Sequence, residues 1–176
     1  MIENNGLKVR KLNDNDKHFL VKWLSDSSVL EYYEGRDNAF DLAKVNNVFF
    51  DCEEDEVKCI VELERKAIGY VQFYKIDKIT KENFGYSFGN IYGMDQFIGE
   101  TEYWNRGVGT LLVSSVVSFL YEYEKADKVI MDPQVRNLRA LRCYEKCGFK
   151  KVKILPKHEL HKGEYRDCWL IEHTRD

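Results

Sequence analysis

Two periods of apolar residues alternate along this chain, and the switch from one to the other marks its elements. Leu7 to Leu12 alternates in and out and predicts a first strand. From Asp14 to Asp26 the apolar residues Phe19, Leu20, Trp23 and Leu24 fall at helical spacing, and a second helix is predicted over Phe40 to Phe50. Glu56 to Leu63 and Ala67 to Ile76 read as two strands around a turn at Glu64, Arg65 and Lys66. Ile91 to Ile98 is an apolar and aromatic run of strand character. After it, Val108, Leu111, Leu112, Val116, Phe119, Leu120 and Tyr123 recur at three- and four-residue steps and predict a helix with one buried face. Lys128 to Asp132 reads as a short buried strand ended by Pro133. Asn137 and Gly148 bracket a further helix as its N-cap and its stop. Lys150 to Ile154 and Tyr165 to Glu172 complete the pattern as a strand pair. There is no internal repeat, low-complexity tract or linker. Strands that come first in hairpins and then alternate with helices predict an α/β fold, a mixed sheet with helices on both faces. One parallel crossover is needed, from the strand through Asp95 to the strand ending at Asp132.

The junction before the long helix carries the chemistry. Trp104-Asn105-Arg106-Gly107-Val108-Gly109-Thr110 places two glycines, one residue apart, where a loop enters a helix. Without Cβ atoms the backbone turns tightly and lets a ligand approach. The first N–H groups of a helix lack intrahelical acceptors, and the helix dipole favours an anion there. Arg106 adds a positive charge. The pattern suits a pyrophosphate, but a tight turn capping a core helix fits it as well. A dinucleotide fingerprint would need a third glycine where Leu112 stands, and a Walker loop would need Gly-Lys-Ser/Thr.

The segment Asn137-Leu138-Arg139-Ala140-Leu141-Arg142-Cys143-Tyr144-Glu145-Lys146-Cys147-Gly148-Phe149 adds a second motif. With it the chain resembles the GCN5-related N-acetyltransferase (GNAT) superfamily. That family pairs an Arg-Gly-x-Gly loop after its fourth strand with an Asn-x-x-Ala-x-x-x-Tyr-x-x-x-Gly-Phe helix after its fifth. Trp104 departs from the Gln or Arg usual three residues before the first glycine. Tyr92 to Glu100, Tyr103 to Thr110, Leu30 to Asp37 and Leu155 to His161 are similar to the aminoglycoside 6′-N-acetyltransferases, whose subgroup shares the Trp104 departure. The similarity spans nearly the whole chain and is strongest to the acetyltransferase half of the bifunctional aminoglycoside-modifying enzymes, without their kinase half. It implies a GNAT fold over residues 1–176: a mostly antiparallel central sheet with a splayed parallel strand pair. It implies transfer of the acetyl group of acetyl-CoA to the 6′-amine of an aminoglycoside in a ternary complex, giving antibiotic resistance.

The resemblance also distributes roles. Backbone groups of Gln96, Phe97 and Ile98 would pair with the pantetheine arm. Arg106, Gly107, Val108, Gly109 and Thr110 would wrap the pyrophosphate, and Asn137, Ala140 and Tyr144 would complete the cofactor site. Asp95, a carboxylate in an apolar strand, is costly to bury without partners. It is either a satisfied strand-edge residue or the group that receives the acceptor amine. A normal Asp titrates at about 3.9, so binding and orienting the ammonium suits it better than removing its proton directly. Tyr144 is either a core aromatic or the acid that protonates the leaving thiolate. A polycationic acceptor calls for carboxylates: Glu53 and Glu54 in the acidic run Asp51 to Glu56, then Glu100, Asp132 and Asp167. Tyr32, Tyr33 and Trp104 could wall its sugar rings, with core packing as the competing reading for each.

Size and composition bound the rest. A chain of 176 residues forms one domain with a proper core. The net charge of −3 and the lack of a basic cluster argue against nucleic acid. No apolar run is long enough for a membrane span, and Met1 to Gly6 is no signal peptide. Five irregularly spaced cysteines argue against a disulfide framework and fit a reducing cytoplasm. Cys143 and Cys147, one helical turn apart, read as packing residues. His158-Glu159-Leu160-His161 lacks the spacing of a zinc-protease motif, so no metal is expected. The sequence does not give the oligomeric state; a monomer is the working expectation. Other amines, such as a polyamine, a peptide N-terminus or a metabolite, remain alternative acceptors, as does a non-catalytic acyl-CoA-binding module.

Overall fold

In a computed structural model, residues 1–33, 38–51 and 55–175 are described. The strands are β1 (Ile2–Asn4), β2 (Leu7–Lys11), β3 (Val57–Leu63), β4 (Lys66–Lys75), β5 (Ile91–Ile98), β6 (Lys128–Met131), β7 (Lys150–His161) and β8 (Glu164–Thr174). The α-helices are α1 (Lys17–Trp23), α2 (Ser27–Leu30), α3 (Leu42–Val45), α4 (Lys78–Phe84), α5 (Val108–Glu122) and α6 (Leu138–Lys146). The strands form one sheet in the order β1-β2-β3-β4-β5-β6-β8-β7. The β1–β2, β2–β3, β6–β8 and β7–β8 pairs are antiparallel, whereas β5 and β6 are parallel. The parallel crossover thus falls where the pattern demanded it, through α5.

The chain divides into two compact units, Met1–Gln72 with Gln96–Gly109, and Phe73–Asp95 with Thr110–Asp176. The first has an aromatic core. Trp23, Leu20, Leu24, Phe40, Phe49, Tyr70 and Phe97 are buried together. Phe97 is its hub, stacked on Tyr70 at 5.6 Å between centroids and edge-on to Trp23 at 6.1 Å. Beside it Arg10 clamps Asp16 with two hydrogen bonds of 2.8 Å and reaches Glu62 at 2.7 Å. The predicted helix over Phe40 to Phe50 is here one turn, α3, followed by a π-helical turn over Asn46–Phe50.

The second unit buries Ile76, Ile91, Ile130, Leu155, Cys168 and Leu170 in its own cluster. Helix α5 presents Leu112, Val113, Val116, Val117, Leu120 and Tyr121 inward. That face is rotated from the expected one: Phe119 is half-buried and Tyr123, past the helix end, is exposed, the two rings stacking at 5.1 Å. Val113, Val117 and Tyr121 close the face in place of Leu111 and Tyr123, opposite an exposed stripe of Ser114, Ser118 and Glu122. Helix α6 begins and ends as its sequence demands. Asn137 Oδ1 accepts from Ala140 N at 3.2 Å. Phe149 N donates to Tyr144 O and Gly148 N to Glu145 O, both at 3.0 Å, with Gly148 at φ +94°. This is the double-bonded glycine stop that ends many helices.

The last hairpin is longer than the pattern suggested. Strand β7 continues past Pro156 to His161 because a register shift between Leu155 and Glu159 absorbs the proline.

Candidate active site

The parallel register of β5 and β6 covers only Ile91–Lys128 to Gly93–Ile130. Strand β6 then ends at Met131, while β5 runs on through Ile98. Asp95 therefore lies two residues past the last position paired with β6, half-buried. Gly93 is compact by necessity: a Cβ there would lie 2.6 Å from the ring of Tyr74.

In the first unit the segment after Asp95 is tied down at each end. The Phe97 ring is core, so only its backbone is available to a ligand. Gly69 allows this course, because a Cβ on it would meet Phe97 O at 2.4 Å. Gly99 N and Glu100 N both donate to Ile68 O, at 2.8 and 3.0 Å. Gly99 packs so close to Trp23 that a Cβ would fall 2.1 Å from the indole Cγ. Glu100 accepts from Lys22 Nζ at 2.5 Å and from Trp23 Nε1 at 3.0 Å. Burial pushes its carboxyl up, but these two donors outweigh it and hold the group below the usual range. Trp104 is half-buried against the aromatic core, and its Nε1 donates to Ile98 O at 2.8 Å. Tyr33 lies on Phe97 at 4.7 Å, and Tyr32 is half-buried.

Residues 104–107 form a turn that leads into α5. Asn105 and Gly107 both take positive φ, +59° and +78°. Gly107 is exposed, and nothing lies within 4 Å of where its Cβ would be. Arg106 is exposed beside it. Val108 is buried, while Gly109 and Thr110 are half-buried on the first turn of the helix. Bare backbone, a helix start and a free guanidinium side chain at the surface are what an anion cradle requires.

In the second unit Tyr144 is buried, with its ring 6.1 Å from that of Phe149. Asn137 and Ala140 are half-buried and share the cap bond described above. Asp132, just past β6, pairs with His158 Nε2 at 2.7 Å. The bond to Asp132 raises the imidazole above its ordinary range against the opposing pull of burial. Asp167 is exposed and accepts from Lys157 N at 2.9 Å, at the β7 register shift. Glu53 and Glu54 lie outside the described residues. Among the described residues there is no group of three or more His, Cys, Asp or Glu side chains placed to hold a metal ion. No helix among them is long and apolar enough to cross a membrane.

Reading the sequence missed Lys22, His158 and the glycines Gly69 and Gly99. The two polar residues meet their partners only across the fold. The glycines stood in plain view inside or beside strands, a position that signals close backbone approach.

A family model described as the acetyltransferase (GNAT) domain matches residues 13–156. The chain belongs to the GNAT acetyltransferase family. An aminoglycoside N(6′)-acetyltransferase type 1 of Klebsiella pneumoniae is 30% identical to this acetyltransferase over 155 residues, 84% of this chain and 76% of that protein. A structure of AAC(6′)-Ib in complex with ribostamycin and coenzyme A superposes with a TM-score of 0.78 at 26% identity, over 97% of this chain and 94% of the other. A crystal structure of the aminoglycoside acetyltransferase AAC(6′)-Ib with coenzyme A and kanamycin gives 0.75 at 26% identity, over 96% and 95%.

Proposed function

We propose that this acetyltransferase moves the acetyl group of acetyl-CoA to the 6′-amine of an aminoglycoside in the cytoplasm, and so confers resistance to the drug. The observation that carries this reading is the 30% identity to the Klebsiella pneumoniae enzyme over 84% of this chain. The exposed, Cβ-free turn at Gly107 supports acetyl-CoA as the donor.

The chemistry is direct attack of an amine on a thioester. Arg106 and the amides at the start of α5 hold the pyrophosphate. Backbone groups of Gln96 to Ile98 align the pantetheine arm, and one backbone N–H there donates to the thioester oxygen as it gains charge. Asp95 binds the acceptor ammonium and orients it, and the proton leaves through water before attack. Tyr144 gives its hydroxyl proton to the departing thiolate, whose conjugate acid titrates near 8.5. Glu53 and Glu54 supply negative charge for the other amines of the drug, and Asp132 adds to it where it is not taken up by His158.

The test is thiol release from acetyl-CoA with kanamycin, ribostamycin, spermidine and a peptide amine offered separately. NMR of the product then locates the acetyl group. Fast release with the two drugs and acetylation at the 6′-nitrogen is expected. Faster release with spermidine or the peptide would reassign the acceptor. Coenzyme A binding without release for any amine would leave only a binding module.

A further inference from the structure

The parallel ladder of β5 and β6 closes at the pair Gly93 and Ile130. Two residues further along each strand come Asp95 and Asp132, at the same step, where the ladder has opened. The two carboxylates share that opening but not their surroundings. Asp132 Oδ2 accepts from His158 Nε2 at 2.7 Å, with 37% of the Asp132 side chain and 31% of the imidazole exposed. A carboxylate only accepts, so the imidazole donates this bond whether it is neutral or charged. The charge of the pair can therefore change while the bond stays. With a neutral imidazole the pair carries the full charge of Asp132; with an imidazolium it carries none.

The other groups around the imidazole leave this change to Asp132. Glu159, next on β7, is the second carboxylate whose field reaches it. Glu159 accepts from Gln134 Nε2 at 2.9 Å and from the Cys168 thiol at 3.8 Å. Cys168 is fully buried on β8, and burial and the nearby carboxylates push its thiol up to about 12, so it stays neutral. Asp167, also on β8, accepts from Lys157 N at 2.9 Å. From α4 the imidazole meets the uncharged ring of Phe84 at 5.9 Å. The bond to Asp132 leads these influences and, with both carboxylates, outweighs burial, so the imidazolium loses its proton above the ordinary value of about 6.5.

We infer that His158 is a specificity-determining residue for the acceptor: its charge decides whether Asp132 serves as counter-ion to an amine of a polycationic substrate or to the imidazolium itself. This deepens the acceptor reading above and rests on it. An ammonium that reaches Asp132 finds a negative pair when His158 is neutral. When His158 is protonated it finds a neutral pair with a cation on one side. Affinity for a polycation rises as pH climbs through the His158 value, by about fivefold for one unit charge about 4 Å away in well-solvated surroundings. An acceptor with a single amine, held at Asp95, gains little. Linkage makes the coupling reciprocal, so a bound polycation lowers the imidazole's own value by about 0.7.

The experiment follows the imidazole C2–H signals of the full chain by NMR between pH 5 and pH 9, free and saturated with kanamycin. His158→Gln assigns the signal and supplies a neutral donor in its place. In the free protein the His158 midpoint should lie above about 6.5, and Asp132→Asn should remove that elevation. Kanamycin should lower it by about 0.7 and move His18, His161 and His173 less. Calorimetry then compares the parent with His158→Gln at pH 5.5 and pH 8.5. The variant should bind kanamycin about fivefold more tightly at the lower pH and equally at the higher. The ratio at each pH cancels the titration of the drug's own amines. If His158→Gln fails to fold, backbone-linked assignment of the parent replaces it, and the titration alone decides. Kanamycin bound with the His158 midpoint unmoved, or equal affinities for parent and variant at both pH values, would overturn the inference and leave the acceptor reading standing. If kanamycin does not bind, the aminoglycoside reading fails and spermidine takes its place in the same titration. Binding by neither would overturn the inference as well.

Discussion

Trp104 hangs from the last carbonyl of β5: its indole Nε1 donates to Ile98 O at 2.8 Å while the ring packs on the aromatic core around Phe97. The bond joins the strand that follows Asp95 to the turn carrying Arg106 and Gly107. It explains why a tryptophan can stand at the head of this loop. The side chain acts as a peg for the loop, and its ring fills space that would otherwise be open core.

Trp104→Phe keeps most of the packing and removes the donor. The protein should lose about 1 kcal/mol of stability, the usual net worth of one hydrogen bond. Coenzyme A affinity should fall severalfold as the turn loosens. Denaturant unfolding and calorimetry measure the two effects. Loss of stability with unchanged coenzyme A affinity would confine Trp104 to the core.

Gly107 tests the cradle directly. Its φ of +78° costs a side chain about 1–2 kcal/mol, but no protein atom stands in the way of a Cβ. Gly107→Val should therefore fold, slightly destabilised, and lose most of its coenzyme A binding. Gly107→Asn, which tolerates a left-handed backbone, should fold nearly as well as the parent and bind less weakly than the valine variant. Full binding by Gly107→Val in a folded protein would remove the pyrophosphate from this turn.

Much of this was legible beforehand, for physical reasons that differ by element. Helix α6 was framed correctly because its two ends are fixed by single residues with local jobs, Asn137 and Gly148. Strand β5 was visible as an apolar and aromatic run interrupted only by Asp95 and Gln96. The buried face of α5 was read off its large apolar residues alone; the exposed stripe Ser114, Ser118 and Glu122, at four-residue steps, orients the helix correctly. Strand β7 was cut short because Pro156 ends most strands, and the register shift that rescues it is set by pairing with β8. The bonds of Glu100 with Lys22 and of Asp132 with His158 join residues far apart in sequence, and no local pattern encodes them. Asp132 and Glu100 were singled out as carboxylates for a polycationic acceptor; the fold gives Glu100 the Lys22 ammonium and Asp132 the His158 imidazole.

The Arg10–Asp16 clamp predicts the acid limb of stability. Burial alone would raise the Asp16 carboxyl, but the bonds from Arg10 and from Asn13 N outweigh it and hold its pKa below the ordinary value. A carboxyl whose pKa is lower folded than unfolded stabilises the protein above the unfolded value of about 3.9. That contribution is lost as pH falls through the folded value. Asp16→Asn should cost about 2 kcal/mol at pH 7, because Arg10 loses two charge-assisted hydrogen bonds but keeps its bond to Glu62. Between pH 5 and pH 3 its stability should decline less steeply than the parent's. Parallel curves from denaturant unfolding over that range would show that Asp16 is not what titrates.

The roles proposed for Asp95 and Tyr144 separate cleanly in kinetics. Asp95→Asn keeps the shape and removes the charge, so acceptor affinity and turnover should both fall while coenzyme A binding hardly changes. Tyr144→Phe removes one oxygen from a buried ring. If that oxygen protonates the thiolate, turnover should fall about 100-fold with little change in acceptor affinity. A thioester with a less basic leaving thiolate should restore part of the loss in Tyr144→Phe, because that group departs with less help. It should not restore Asp95→Asn, where the missing interaction is with the amine. Full turnover in Tyr144→Phe would reduce the residue to the packing that its burial and its place beside Phe149 already provide. Unchanged drug affinity and turnover in Asp95→Asn would remove the acceptor from the end of β5.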